Sequence, residues 1–347
     1  MKAVLKGFLR KAAITGGLEA SRILGRMGAM TAARGRGAIF TLHHVRPFAP
    51  RRLDANGHLE ITPDFLDQAI EQLKADGYRF VPLEAVPGLI AGKPDAQPFA
   101  VFTLDDGYRD NVQYALPVFE RHGVPFTVFV TRGFSERSHT LWWETAEALL
   151  NATDRFTLET DTGDRTLQVS TLAEKRAVCD LICDGICGPQ ESLAIARLDA
   201  AARSVGVDPA AMVAQLVMTA DELVSLSRHP LATLGAHSLS HRALDFLSDA
   251  EALEELSGSA DYVEAITGRR PTTFAYPYGD RRSASDRIAA LAEKAGFTLA
   301  VTTRAGTLDG RAMATPMLLP RISLNGYYQK PRYVSALASG IPFKLAR

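Results

Sequence analysis

The sequence predicts a barrel-like α/β fold, one domain interrupted by an insertion, and three observations carry that prediction. From residue 37 onward short apolar runs alternate with capped helical segments, the texture of strand and helix units. Two of the apolar runs end directly in Asp, His and Gly residues, as strands do at the active face of an α/β barrel. One pair of strands is separated by about a hundred residues, far more than an ordinary crossover needs.

In chain order, residues 38–42 read as a strand ending at His43 and His44. Thr62 and Pro63 open a helix, the threonine as cap and the proline in the first turn. Phe65, Leu66, Ala69, Ile70 and Leu73 line one face, and Gly77 stops it. Residues 78–81 form the next expected strand. Residues 99–104 are almost continuously apolar, as a strand buried on both faces should be, and deliver Asp105, Asp106 and Gly107 at their end. A helix over 111–122 and a strand over 125–131 follow. The insertion, about 139–225, should contain a helix starting near Trp142, Trp143 and Glu144, a hairpin of 155–159 with 166–169, and a capping box at Thr219 and Glu222. The simple rhythm then resumes: a strand at 231–236, a helix capped by Ser248 and Glu251 and ending at Gly268, a strand at 273–276, a helix over 284–295, and strands at 298–302 and 320–324. The number of units suits a barrel better than an open sheet. The expected division is a basic helical segment at 1–36 and the barrel domain at 37–347.

Lysine plus arginine (39) balance aspartate plus glutamate (39), which removes the uniform basic field of a nucleic-acid binder. Hydrophobic residues at 46% and charged residues at 22% are ordinary globular usage, so a soluble protein is expected. No run of about eighteen apolar residues exists to form a membrane-spanning helix. Cys179, Cys183 and Cys187 lie along one helical stripe and read as small apolar core residues of a reducing compartment. Residues 1–34 carry Lys2, Lys6, Arg10, Lys11, Arg22, Arg26 and Arg34 against Glu19, without the apolar stretch of a signal peptide. Such a segment either lies on an anionic membrane surface or packs as a solvated helix on the domain. The expected location is cytoplasmic, with peripheral attachment to the inner membrane face as the variant.

Asp105 and Asp106 are adjacent, so their side chains diverge and can serve different partners. His237 and His241 follow another strand at a spacing that puts both imidazoles on one face of a helical turn. With a carboxylate from a second strand end they compose a two-histidine, one-carboxylate metal centre that leaves positions open for water and substrate.

These residues sit in recognisable strings. Phe102-Thr-Leu-Asp-Asp-Gly107 resembles the first motif of the polysaccharide deacetylases, carbohydrate esterase family 4, with His237-Ser-Leu-Ser-His241 similar to the second and Phe274-Ala-Tyr-Pro-Tyr-Gly279 to the third. The resemblance implies a distorted (β/α) barrel that hydrolyses acetyl groups from N-acetylglucosamine-containing oligo- or polysaccharide. It makes Asp106, His237 and His241 ligands of a divalent metal ion, zinc first, with cobalt, nickel, manganese or iron as alternatives. Asp105 becomes the general base, and the backbone N–H of Tyr278 an oxyanion donor. The usual late Leu-x-His motif is missing, since residues 321–325 read Arg-Ile-Ser-Leu-Asn and no histidine follows His241. Leu42-His-His-Val45 instead resembles the first-strand motif of a permuted branch, similar to the bacterial poly-N-acetylglucosamine deacetylases, and nominates His43 as general acid over His44. The arginine usual in the third motif is Ala275, and Arg321 is the candidate to replace it beside Asp105. Trp142 or Trp143, and Tyr276 with Tyr278, are candidates to line a sugar subsite. The competing readings are a cyclic amide or imide hydrolase on the same scaffold and a noncatalytic glycan-binding protein.

Overall fold

The computed structural model describes residues 2–93, 97–186 and 188–345, with side chains from residue 11 onward. Seven parallel strands close into a barrel surrounded by helices. They are β1 (Gly37–Leu42), β2 (Phe99–Leu104), β3 (Phe126–Val130), β4 (Ala232–Ala236), β5 (Thr273–Ala275), β6 (Leu299–Ala305) and β7 (Leu319–Ser323). β1 seals the ring: it pairs with β2 from Gly37 opposite Phe99 to Leu42 opposite Leu104, and with β7 through Phe40–Ile322 and Thr41–Ser323. The short strand Arg79–Phe80 adds to β2 outside the ring.

Because strand side chains alternate, each strand feeds two cores. Ile39, Val101, Phe129, Ala275, Val301 and Leu319 form the inner one. Phe40, Phe102, Val128, Leu234, Phe274 and Ile322 face outward into a larger layer of helical side chains. Gly235 makes the inner packing feasible, since a Cβ there would come within 2.5 Å of the Phe129 ring. The flanking helices carry the expected caps. Thr62 accepts from the Phe65 N–H at the start of α2 (Pro63–Ala75), numbered after α1 (Lys2–Arg26). The helix expected over 111–122 begins as a π turn, Asn111–Ala115, and continues as Leu116–His122. Pro117 near that junction cannot donate to the ladder, which accounts for the break.

Between β3 and β4 lie α3 (Trp142–Ala152), the hairpin of Arg155–Thr160 with Gly163–Gln168, the helix Leu172–Ile186, α4 (Glu191–Ser204) and the helix Pro209–Leu216. They share a core of their own, including Leu149, Leu150, Phe156, Ile182, Leu198 and Val213, which Tyr108 and Trp143 join to the barrel mouth. Cys179 and Cys183 are half-buried free thiols against it, and Cys187 lies outside the described residues. α5 (Asp249–Thr267) begins with the Ser248–Glu251 capping box and ends at Gly268 with φ 71°. At the opposite end of the barrel α1 packs on α6 (Pro331–Ala338) and on the helix Ile341–Leu345. No helix among the described residues is long and apolar enough to cross a membrane.

Candidate catalytic and metal site

The polar residues at the centre of the site leave the C-terminal ends of barrel strands or project from them. His43 follows β1, Asp105 and Asp106 follow β2, His237 follows β4, Tyr278 lies just past β5, and Arg321 stands in β7. The loops that aim them are strained. Asp106, Ser238, His241 and Tyr278 have φ of 71°, 65°, 61° and 60°, a region that costs a non-glycine residue about 1–3 kcal/mol and concentrates at functional sites.

The segment from His237 to His241 is a loop and not the helical turn its spacing suggested. Its N–H groups find side-chain acceptors, which is why no helix forms: the His241 N–H donates to Ser238 Oγ at 2.9 Å, and those of Leu239 and Ser240 donate to Glu255 of α5 at 2.8 and 2.9 Å. Two left-handed residues curl this loop until the imidazole centroids are 5.0 Å apart.

Asp106, His237 and His241 present three ligand atoms within 4.8 Å of one another, all buried. His237 Nδ1–H donates to the Ala275 carbonyl at 2.6 Å, which leaves Nε2 with its lone pair turned to Asp106 Oδ1 at 3.5 Å. His241 Nε2 is 3.4 Å from the same oxygen. That oxygen is sealed from solvent and accepts no hydrogen bond. Burial pushes the His241 pKa down to about 3, so its ring is neutral at pH 7. Burial would raise the Asp106 carboxyl, but the two imidazoles hold it well below the usual range. An ionised carboxylate without a hydrogen-bond donor, facing imidazole nitrogens, is a donor set that suits zinc or a similar divalent ion.

Asp105 points the other way, into the barrel lumen, where Arg321 grips it. Nη1 donates to Oδ1 at 2.8 Å and Nη2 to Oδ2 at 2.6 Å, while Nε donates to the Thr302 carbonyl and Nη1 also to Thr103 Oγ1. Burial opposes ionisation of Asp105, and the guanidinium outweighs it, so the carboxyl sits below its ordinary pKa. His43 Nε2 lies 3.9 Å from Asp105 Oδ2, and burial lowers its pKa.

A second set of partners was not apparent in the sequence. His44 is fully buried, its Nδ1 2.5 Å from Asp110 and its Nε2 3.5 Å from Glu144, with its ring 3.6 Å from that of Tyr108. Burial would lower its pKa, but the two carboxylates carry it up to about 9. Asp110 also accepts the Val45 N–H, and Asn111 donates to the His43 carbonyl, so the network fixes the backbone on both sides of His44. The His-His doublet was the only local signal, because Glu144 is a hundred residues away. Glu191 of α4 accepts from the Tyr278 hydroxyl at 2.5 Å, and that hydroxyl accepts from Trp142 Nε1 at 2.9 Å. Trp143 donates to Tyr108 Oη and lies 5.0 Å from the His241 ring, so both tryptophans are buried walls of the site. Tyr276 is not brought to the mouth: strand alternation turns it outward with Phe274 into the outer core, 1% exposed, and it offers no face to a sugar.

A family model described as polysaccharide deacetylase matches residues 92–164 and 210–300. Among solved structures, the Streptococcus pyogenes deacetylase PplD in complex with acetate is 18% identical, with a TM-score of 0.51 over 84% of this chain and 92% of that one. IcaB from Ammonifex degensii is 17% identical, with a TM-score of 0.53 over 89% and 98%. The BpsB deacetylase domain from Bordetella bronchiseptica is 14% identical, with a TM-score of 0.51 over 83% and 95%. At such identities the likeness is one of fold. No curated protein matches the sequence.

Proposed function

Because the chain belongs to the polysaccharide deacetylase family, we propose that it hydrolyses N-acetyl groups from N-acetylglucosamine units of an oligo- or polysaccharide, yielding acetate and a free amine. The observation that carries this reading is the split pair of carboxylates: Asp106 faces two imidazoles while its neighbour Asp105 is held by Arg321. Asp106, His237 and His241 would hold a divalent ion, zinc first, which when bound polarises the amide carbonyl and acidifies water. Asp105, kept ionised by Arg321, accepts the proton of the attacking water. Low basicity is the cost of that pairing, since an efficient base has a pKa near the working pH. His43, in its protonated form, passes a proton to the departing nitrogen as the C–N bond breaks; burial lowers its pKa, so that form is the minor one at neutral pH. The Tyr278 backbone N–H donates to the developing oxyanion. Trp142 and Trp143 shape the mouth by packing, and the sugar reaches them at their edges.

The test is acetate release from N-acetylglucosamine oligomers by metal-reconstituted protein, beside Asp105→Asn, His43→Ala and His237→Ala. The expected result is release by the wild type, a loss on the order of a hundredfold or more in the first two variants with metal content intact, and loss of both metal and activity in the third. Metal-loaded protein that releases no acetate from any such oligomer overturns the glycan assignment and moves the substrate to a cyclic amide. Protein that takes up no metal makes the chain a noncatalytic glycan binder.

A further inference from the structure

Tyr278, whose backbone N–H is the proposed oxyanion donor, sits in a strained turn. The Gly279 N–H bonds back to the Pro277 carbonyl at 2.7 Å, closing three residues around Tyr278 at φ 60°. Turns of this hand are rare, and such a conformation persists only where its surroundings over-determine it. On the backbone side, Thr303 Oγ1 donates to the Tyr278 carbonyl at 2.7 Å. At the far end of the side chain, the hydroxyl accepts from Trp142 Nε1 at 2.9 Å and donates to Glu191 Oε1 at 2.5 Å. The ring between them stands edge-on to the His241 imidazole, 5.1 Å away. A tyrosine side chain has only two torsions, so pinning its tip and its ring also fixes its Cα and the N–H one bond from it.

Glu191 holds more than this hydroxyl. It is 2% exposed, and its other oxygen accepts the Ala243 N–H at 2.9 Å, two residues beyond His241. One buried carboxylate thus joins the turn after β5 to the loop after β4, and His241 in that loop has φ 61°. Among the described residues both of its hydrogen-bond donors come from these two loops, so neither loop can shift without leaving a buried charge short of a partner. Glu191 opens α4, within the stretch 165–209 that lies between the two segments matched by the family model. The tie is therefore supplied by the insertion and not by the barrel strands.

We propose that Glu191 is a positioning residue for the hydrolysis. Through the Tyr278 hydroxyl it aims the Tyr278 N–H at the developing oxyanion, and through Ala243 it keeps that donor in register with the loop that carries His241. The inference rests on the reaction proposed above. A hydrogen bond to the oxyanion is fully made only in the transition state, so a misaimed donor is read in kcat and not in KM.

The test follows acetate release from N-acetylglucosamine oligomers by the metal-reconstituted full chain, beside Glu191→Gln, Tyr278→Phe and the double variant. Glutamine offers one acceptor oxygen where the carboxylate offers two, and phenylalanine removes the hydroxyl but keeps the backbone N–H. Each single variant is expected to lose about tenfold or more in kcat, with KM within about twofold and metal content unchanged. The double variant is expected to be no slower than the slower single one, because both changes cut the same tie. A second readout needs no substrate. The chain has two tryptophans, so a proton–nitrogen correlation spectrum carries two indole N–H signals, which Trp142→Phe assigns. The Trp142 signal is expected to move in Glu191→Gln, because the hydroxyl it donates to is released. An unmoved signal, an unchanged kcat, a loss confined to KM, or single losses that multiply in the double variant each overturns the positioning role and leaves the reaction standing. If Glu191→Gln fails to fold, Tyr278→Phe reads the same tie, and an unchanged kcat there overturns the role equally. A wild type that releases no acetate overturns the reaction itself and this role with it.

Discussion

Two buried ionic arrangements set the behaviour of single residues, and they predict opposite responses to pH. The Arg321–Asp105 pair depresses a carboxyl pKa, so its stabilisation is full above the ordinary carboxylate value and is lost as pH falls through the depressed one. Arg321→Met leaves a buried carboxylate unpaired, which should cost about 3–5 kcal/mol in urea unfolding. It should also move the acid limb of kcat/KM to higher pH, with metal content unchanged. An unmoved limb would mean that something other than Arg321 keeps Asp105 ionised. His44 works in the other direction. Its folded pKa of about 9 lies above the ordinary value near 6.5, so its stabilisation is full below about 6.5 and is lost as pH rises through about 9. His44→Gln should destabilise the chain at pH 6, and the gap from wild type should close by pH 10. Urea midpoints across that range measure it, and a constant gap would show that His44 acts by packing alone.

At the level of elements, the inner core depends on one missing side chain. Phe129 of β3 fills the lumen across Gly235 of β4, so Gly235→Ala forces a ring or a strand to move and should cost about 1–3 kcal/mol. Because Phe129 also lies 6.0 Å from the Arg321 guanidinium, the same change should lower kcat more than it raises KM. A purely structural effect would leave kcat of the folded fraction intact. The strands and caps were legible in the sequence because their signals are local: a buried run such as residues 99–104, or the Ser248–Glu251 box, needs no knowledge of distant chain. The histidine loop was misjudged for the complementary reason, since i, i+4 spacing is shared by helices and by loops whose N–H groups are taken up by side chains, here Glu255. The outward turn of Tyr276 follows from strand alternation once Phe274 is placed in the outer core, whereas the motif alone put it beside the substrate.

On the scale of the molecule, closure was legible only through the count of units and the family resemblance, because the pairing of β1 with both β2 and β7 joins segments that no local pattern links. The His44 clamp, whose acids come from the loop after β2 and from α3, was not legible. The metal reading makes a global prediction. Three ligands drawn from two strand ends, β2 and β4, tie the chain across β3, so ion binding to the folded state alone should add about 2.7 kcal/mol at a free concentration a hundred times its Kd. Chelation should lower the melting temperature of the wild type and leave that of His237→Ala/His241→Ala unmoved. A wild type indifferent to chelator would remove the metal from the account.

The span of the Arg321–Asp105 contact has a consequence for the life of the chain. Asp105 is translated early and its guanidinium partner 216 residues later, on the last strand to emerge. A growing chain thus carries both aspartates, His237 and His241 well before the carboxylate is clamped, and under the proposed reaction the base would reach its paired state only at the step that closes the ring. Folding and switching on are then one event, and a fragment ending before residue 319 should remain chemically silent however much of the barrel it has built.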